Sequence, residues 1–171
     1  PQLYTSAEGK ACGFIIKTVD YLEQYGHDVY IEMRDMQAGS EAFEQQYMTE
    51  CVSRKWGVCF VSKGYALGEW TNKEWGLLAS DIMDPNHRIP ILLDPIGELK
   101  AAMTAAMQAG KKEPTKAAQC GKLLFDMGSN SIQWLHGGQP CRDPEGIAEQ
   151  IHKFITGTYD KREAEAAAKK W

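Results

Sequence analysis

A tryptophan and a glutamate four residues apart are the side chains whose types and spacing best fit a chemical role. Trp70 and Glu74 become neighbours on one helix face if a helix begins by Trp70, because residues i and i+4 lie one turn apart. A carboxylate in a dry cleft stabilises positive charge that develops on a bound molecule. With the indole of Trp70 as its wall, such a cleft would stabilise a cationic transition state.

The same segment also fits a purely structural role. Thr71 precedes Glu74 by three residues, which is the spacing of a capping box at the start of a helix. A helix is predicted directly after it, from Asn72 to Met83. Spacing alone leaves both roles open for Glu74, and Trp70 fits a core aromatic equally well.

Several common catalytic and cofactor motifs are missing. No G-x-G-x-x-G follows the first predicted strand, and no G-x-x-x-x-G-K-[ST], H-E-x-x-H or G-x-S-x-G segment occurs. The four histidines are scattered along the sequence, and each fits a surface or capping position. The five cysteines include no C-x-x-C pair and show no zinc-ligand spacing. We therefore expect no metal and no resident cofactor.

The elements that must position these side chains alternate between strand and helix patterns. Apolar residues repeat at helical spacing between the strands, and Asp143 and Pro144 form the cap and first position of the last such helix. Gly26 closes the first helix. The strands are predicted at residues 3–6, 29–31, 57–62, 89–93 and 132–135.

This order predicts an α/β protein with a flavodoxin-like doubly wound fold, in which helices cover both faces of a five-stranded parallel sheet. Ligands bind such folds at the carboxyl ends of the strands. Ser6, Glu32 and Ser62 are predicted at these ends and are therefore candidate substrate contacts. Each of them fits a turn or cap residue as well.

Composition indicates a cytoplasmic globular protein. Hydrophobic residues make up 43% of the 171 residues and charged residues 25%, which excludes wholesale disorder. The formal net charge of -4 does not favour binding to nucleic acid. No stretch has the roughly 18 apolar residues of a membrane helix, and an odd cysteine count indicates free thiols, with Cys59 as a small buried hydrophobe.

The predicted domain covers residues 1–158. Residues 159–171 are rich in Ala, Glu and Lys, and we expect them to form an exposed helical or flexible C-terminal extension. Residues 1–10 have no basic flank and no apolar core and so do not form a secretory signal. Because the chain starts with Pro1, its native start is expected to lie upstream.

Four local motifs, in the order of the predicted elements, resemble those of TIR (Toll/interleukin-1 receptor) domains. The loop RDMQAG is similar to the family's RDxxPG BB loop, VSKGY to LSxxY, EWTNKE to WxxxE, and IPIL to the (I/V)PI strand. Trp134 takes the aromatic position near the last strand. These matches span residues 3–156, and within the family they look like the NAD-cleaving TIR domain of an axon-degeneration enzyme that also has SAM and armadillo regions.

The resemblance implies a function for the residues that match. Glu74 takes the position of the catalytic glutamate of NAD-cleaving TIR domains, which release nicotinamide and ADP-ribose or a cyclic ADP-ribose isomer and act when assembled. NAD+ is then the substrate and other TIR domains are the partners, in immune or cell-death signalling. The alternative is a non-enzymatic signalling adaptor. The implied substrate contacts are Trp70, Ser6, Glu32, Arg34, Met36 and Ser62, and the implied self-association loop is Gln37, Ala38 and Gly39.

Three departures from the family pattern stand out. Ala38 replaces the BB-loop proline, which removes a fixed φ. Ser6 begins a segment, Ser-Ala-Glu, where the NAD-cleaving enzyme has arginines. The connection between the last two predicted strands, which includes residues 96–128, is longer than is usual in the family.

Overall fold

A computed structural model describes residues 7–31, 53–67, 87–109, 135, 140 and 143–168. Within these ranges the chain forms five helices and a pair of strands. In chain order they are α1 (Ala7–Gln24), β1 (Gly57–Val61), α2 (Lys63–Leu67), β2 (Arg88–Leu92), α3 (Ile96–Ala109), α4 (Pro144–Thr156) and α5 (Lys161–Ala168).

The two strands form a parallel ladder. Gly57 pairs with Arg88 at one end and Val61 with Leu92 at the other. Both strands are near-continuous apolar runs, as expected of parallel strands that are covered on both faces. The predictions of strands at 57–62 and 89–93 are thereby confirmed to within one residue.

Helices cover both faces of this pair. On one face Cys59 and Val61 of β1 and Leu92 of β2 pack with buried residues of α2 and α3: Ala66, Leu99 and Met103. On the other face Ile89 and Ile91 of β2 pack with buried residues of α1 and α4: Leu22, Ile147, Ala148 and Ile151. The alternation along β1 sends Val58 and Phe60 to the second face. This is the helix–sheet–helix layering of an α/β fold.

Pro90 lies in the middle of β2, although its type predicts a strand start or an edge. Successive strand residues direct their backbone polar groups to opposite sides. The Leu93 N–H reaches the Val61 carbonyl of β1 at 3.0 Å, so Pro90 faces away from β1, and its carbonyl accepts the Leu135 N–H at 3.2 Å. The missing N–H of Pro90 therefore removes no bond from the ladder.

Both long helices that flank the second face end on left-handed glycines. α1 ends before Gly26, which has φ 84°, and the His27 N–H bonds to the Leu22 carbonyl at 3.1 Å. α4 ends before Gly157, with φ 76°. Glycine adopts this conformation without a Cβ clash, and it turns the chain sharply after the helix. The prediction that Gly26 closes the first helix is confirmed.

The start of α4 is also as predicted. Asp143 is its N-cap, and the Asp143 carboxylate accepts the Glu145 N–H at 3.2 Å. Pro144 occupies the first turn, where no intrahelical donor is needed. α3 confirms the helical pattern of its segment, with Leu99 and Met103 fully buried.

Some predicted elements differ or lie outside the described residues. The strand predicted at 3–6, the helix predicted at 72–83 and all but Leu135 of the strand predicted at 132–135 lie outside the described residues. Residues 29–31, predicted as a strand, are not a strand in the structure, although Val29 packs on the second core face. The C-terminal segment is helical over α5 and exposed at Lys161, Arg162 and Glu163, but Ala164 of the same helix is completely buried. The domain boundary at 158 stays a prediction.

Candidate functional site

The carboxyl ends of β1 and β2 lie side by side. Val61 and Leu92 are partners in the ladder, and the Leu93 N–H extends it by bonding to the Val61 carbonyl. Residues that directly follow the two strands therefore meet at one edge of the sheet. This is the edge at which doubly wound α/β folds bind their ligands.

Ser62 follows β1 at this edge and caps α2. Its hydroxyl oxygen accepts the Tyr65 N–H at 3.1 Å, and its carbonyl accepts the Ala66 N–H at 2.9 Å. The bond from the Tyr65 N–H satisfies a donor that the first turn of a helix leaves without an intrahelical partner, whereas the bond from the Ala66 N–H is the first intrahelical bond of α2. The cap uses the oxygen as an acceptor only, so the hydroxyl hydrogen can still be donated to a ligand. Substrate contact by Ser62 therefore stays a prediction.

Asp94 follows β2 and joins the two strand ends. Its carboxylate oxygen Oδ2 accepts the Lys63 N–H at 2.7 Å. This is a charge-assisted bond from a backbone donor, and such bonds are shorter and stronger than neutral ones. Asp94 therefore fixes the start of α2 relative to the end of β2.

The Lys63 side chain makes a second link, to Glu98 in the first turn of α3. The hydrogen bond to the Glu98 carboxylate, helped by the charges of Glu98 and Asp94, raises the pKa of Lys63. Both side chains are exposed, so the ion pair contributes little to stability. The ion pair matters more for ligand binding, because an anionic ligand at this edge has to compete with Glu98 for the Lys63 ammonium.

Beneath this edge lies a buried thiol. Cys59 of β1 is 7% exposed, which confirms the prediction of a small buried hydrophobe. The Tyr65 hydroxyl lies 3.7 Å from its sulfur, and Tyr65 packs against the same core cluster. The first turn of α2 is thus anchored to β1 through a side chain as well as through the backbone.

Of the candidate residues from the sequence, only Ser62 lies within the described part of the chain. The others lie outside it: Glu74, Trp70, Ser6, Glu32, Arg34, Met36, Gln37, Ala38 and Gly39. The structure adds Lys63, Asp94 and Glu98 to Ser62. An acidic residue directly after a buried parallel strand, as Asp94 is, was the signal that could have indicated this part of the edge.

The histidines that look scattered in the sequence are not all apart in the fold. The His27 and His152 rings lie 2.9 Å apart, Nε2 to Nδ1, while His87 stacks edge-on against Trp56 with ring centroids 4.4 Å apart. Across the described ranges, no cluster of at least three histidine, cysteine or acidic residues is placed to hold a metal ion. Nor does any helix in those ranges have the length and apolarity to cross a membrane.

Comparison with known proteins gives one match. A family model described as a TIR domain matches residues 5–124, more than two thirds of the chain. The matched range contains the BB-like loop, both described strands, and the Trp70 and Glu74 positions. No curated protein and no solved structure matches the chain. The finer likeness to the axon-degeneration enzyme therefore stays a prediction.

Proposed function

This chain belongs to the TIR domain family, and from that premise we propose that it is an NAD+ glycohydrolase that cleaves the bond between nicotinamide and ribose. TIR domains act in signalling, and some of them hydrolyse NAD+. The observation that carries the proposal is Glu74, four residues after Trp70 and inside the range matched to the family. The products are nicotinamide and ADP-ribose or a cyclic ADP-ribose isomer.

The chemistry explains why one carboxylate is enough. Nicotinamide in NAD+ carries a positive charge, so it leaves as a neutral base with the electron pair of the broken bond and needs no proton. Most glycosidases use two carboxyl groups, because their leaving group must be protonated. In NAD+ cleavage the main demand is to stabilise the ribosyl cation that develops at C1′. In the proposal a carboxylate at Glu74 supplies that stabilisation.

The second half of the reaction requires a nucleophile at C1′. Water attacks the ribosyl cation and loses a proton to give ADP-ribose, whereas attack by an adenine nitrogen gives a cyclic isomer. The described strand edge supports this proposal in one respect: it is a fixed frame, held by Ser62, Lys63 and Asp94, at the place where the fold binds ligands. Because Lys63 is paired with Glu98, the pyrophosphate of NAD+ has to bind hydrogen-bond donors other than Lys63 or else displace Glu98 from it.

Substitution of Glu74 by glutamine tests the proposal. Gln keeps the size and the hydrogen bonding of the side chain but removes the charge. Loss of one preorganised electrostatic contact lowers turnover by about 10²–10³. A capping-box role predicts little change, because Gln is an accepted partner in that motif. We expect nicotinamide release at least ~100-fold slower, with an unchanged unfolding temperature.

Glu149→Gln provides the matched control. Glu149 lies on α4, pairs with Lys153 at 2.8 Å, and is outside the range matched to the family. This variant should release nicotinamide at the wild-type rate. Near-normal release from Glu74→Gln would remove Glu74 from the mechanism.

A signalling adaptor is the second candidate, favoured by the loop that resembles the BB loop. In this function Gln37, Ala38 and Gly39 hold neighbouring TIR domains together, and no NAD+ is consumed. Gly39→Pro should weaken self-association measured by light scattering. If the chain is an enzyme that acts when assembled, nicotinamide release falls in parallel. Assembled wild-type protein that releases no nicotinamide would favour the adaptor alone.

A further inference from the structure

Three aromatic rings join the end of α1 to α4. The left-handed turn at Gly26 brings His27 back against α4, where its Nε2 lies 2.9 Å from Nδ1 of His152. On its other side the His152 ring stacks on Tyr25, with centroids 4.6 Å apart and an interplanar angle of 18°. α1 and α4 also share the second core face through Leu22 and Ile151. The histidine pair therefore lies at a large helix–helix contact.

The hydrogen bond between two imidazoles limits how many protons the pair can hold. One ring nitrogen must donate and the other must accept. A neutral pair satisfies this condition, and so does a pair with one added proton. A second added proton places an N–H on both facing nitrogens, so the bond is lost and two positive charges remain side by side.

We propose that His27 and His152 form an acid-sensitive latch between α1 and α4. The latch is closed while the pair carries at most one added proton, and it opens when the pair takes up a second. This inference concerns the fold and is independent of the proposed NAD+ chemistry.

Charged residues that neighbour the two histidines in the sequence, or that act on such a neighbour, come from three elements. At the end of α1 they are Glu23 and Asp28, and the Asp28 carboxylate pairs with Arg54. On α4 they are Glu149 and Lys153, which pair with each other at 2.8 Å. From α5, Glu163 acts electrostatically on Lys153. The acidic groups favour protonation of the pair, so the latch depends on whether burial and mutual repulsion outweigh them.

At His27, burial and the repulsion from His152 outweigh the effect of the acidic groups on the pKa. Partial burial first, and then the neighbouring His152, lower the pKa of the His27 imidazole below its ordinary value of 6.5. The folded protein therefore binds fewer protons than the unfolded chain as the pH falls through about 6.5. The stabilising effect of the latch is fully present above that pH and is lost as the pH falls through the lower pKa of the folded state.

Urea unfolding at pH 7.5 and 5.5 tests the latch. A difference of one bound proton changes the folding equilibrium constant tenfold per pH unit. Between these pH values we expect wild type to lose more in this constant than His152→Gln does, and the difference is at most about tenfold because burial of His27 remains in the variant. His87→Gln is the matched control, because the ring of His87 packs against Trp56 and is not part of the hydrogen-bonded pair; this variant should keep the wild-type loss. Equal losses in wild type and His152→Gln would overturn the proposal.

Imidazole proton resonances in NMR provide a second, independent readout. In wild type we expect the His27 signals to titrate below the ordinary midpoint of a histidine. In His152→Gln the His27 midpoint should rise. If the variants do not fold, the wild-type titration of His27 alone decides: a midpoint at the ordinary value would contradict the latch.

Discussion

Removal of the Asp94 carboxylate should loosen the strand edge proposed to bind substrate. In wild type this carboxylate accepts the Lys63 N–H at 2.7 Å and so joins the ends of β1 and β2. Asp94→Ala leaves that N–H exposed to water, while the two bonds from Ser62 to Tyr65 and Ala66 still hold the first turn of α2. The edge should therefore shift locally without unfolding the chain.

The size of the effect follows from the kind of bond removed. Loss of a side-chain cap from a helix start costs about 0.5–2 kcal/mol. Because the bond lies at an exposed edge, we take a value near the middle, about 1 kcal/mol. For a chain of this size that lowers the unfolding temperature by about 2–4 °C. If the same free energy is lost from substrate binding, the KM for NAD+ rises about fivefold with little change in kcat.

Asp160→Ala is the control with similar chemistry. The Asp160 carboxylate accepts the Arg162 N–H at 2.7 Å and the Glu163 N–H at 3.1 Å at the start of α5, outside the range matched to the family. It should lower stability by a similar amount and leave the KM unchanged. Nicotinamide release over a range of NAD+ concentrations, together with thermal unfolding, measures both quantities. A lower unfolding temperature with an unchanged KM in Asp94→Ala would refute a role for this edge in substrate binding.

Three further predictions concern stability. Ile91→Ala should cost about 2–5 kcal/mol, measured by urea unfolding, because Ile91 is completely buried in the second core face. Gly157→Ala should lower the unfolding temperature, because Gly157 has a φ of 76° that strains any residue with a Cβ. Gly13→Ala within α1 should raise the unfolding temperature, because an added Cβ meets nothing within 4 Å there. Each substitution should change the free energy of unfolding by about 1 kcal/mol. Burial of the Tyr159 side chain, followed by Glu165 and Asp160, raises the pKa of Tyr159 to about 12. The stabilisation that the raised pKa of Tyr159 gives the folded state is fully present below pH 10 and is lost as the pH rises towards 12. Tyr159→Phe should therefore remove one late step from the absorbance titration of the tyrosine side chains.

Much of the fold follows from local rules that the sequence contains. The apolar runs around Cys59 and Ile91 predict buried strands because a strand covered on both faces has no polar side. Asp143 and Pro144 predict the start of α4 because the first turn of a helix needs an acceptor and no donor of its own. Gly26 predicts the end of α1 because glycine, which has no Cβ, adopts the positive φ that ends a helix without a steric clash. Each of these signals acts within a few residues.

Other features could not be predicted because they depend on what packs nearby. The C-terminal helix has the composition of an exposed helix, yet Ala164 is buried. Asp94 gives no sign in the sequence that its partner is the Lys63 backbone, 31 positions away. For the candidate site, the sequence supplied the residues of the family motif, whereas the structure supplied only the strand edge beside Ser62.

The sequence by itself determined the types of β1, β2, α1, α3 and α4, their apolar faces and membership of the TIR family, because periodicity, caps and motifs are properties of neighbouring residues. Only the tertiary structure decided which distant polar groups meet. His27 and His152 are separated by 125 positions, and their contact exists because the turn after α1 and the packing of α4 bring both rings to one place. The Asp94 bond to the Lys63 N–H likewise requires the parallel register of β1 and β2. Such contacts are fixed by the path of the chain between elements, which no local pattern specifies.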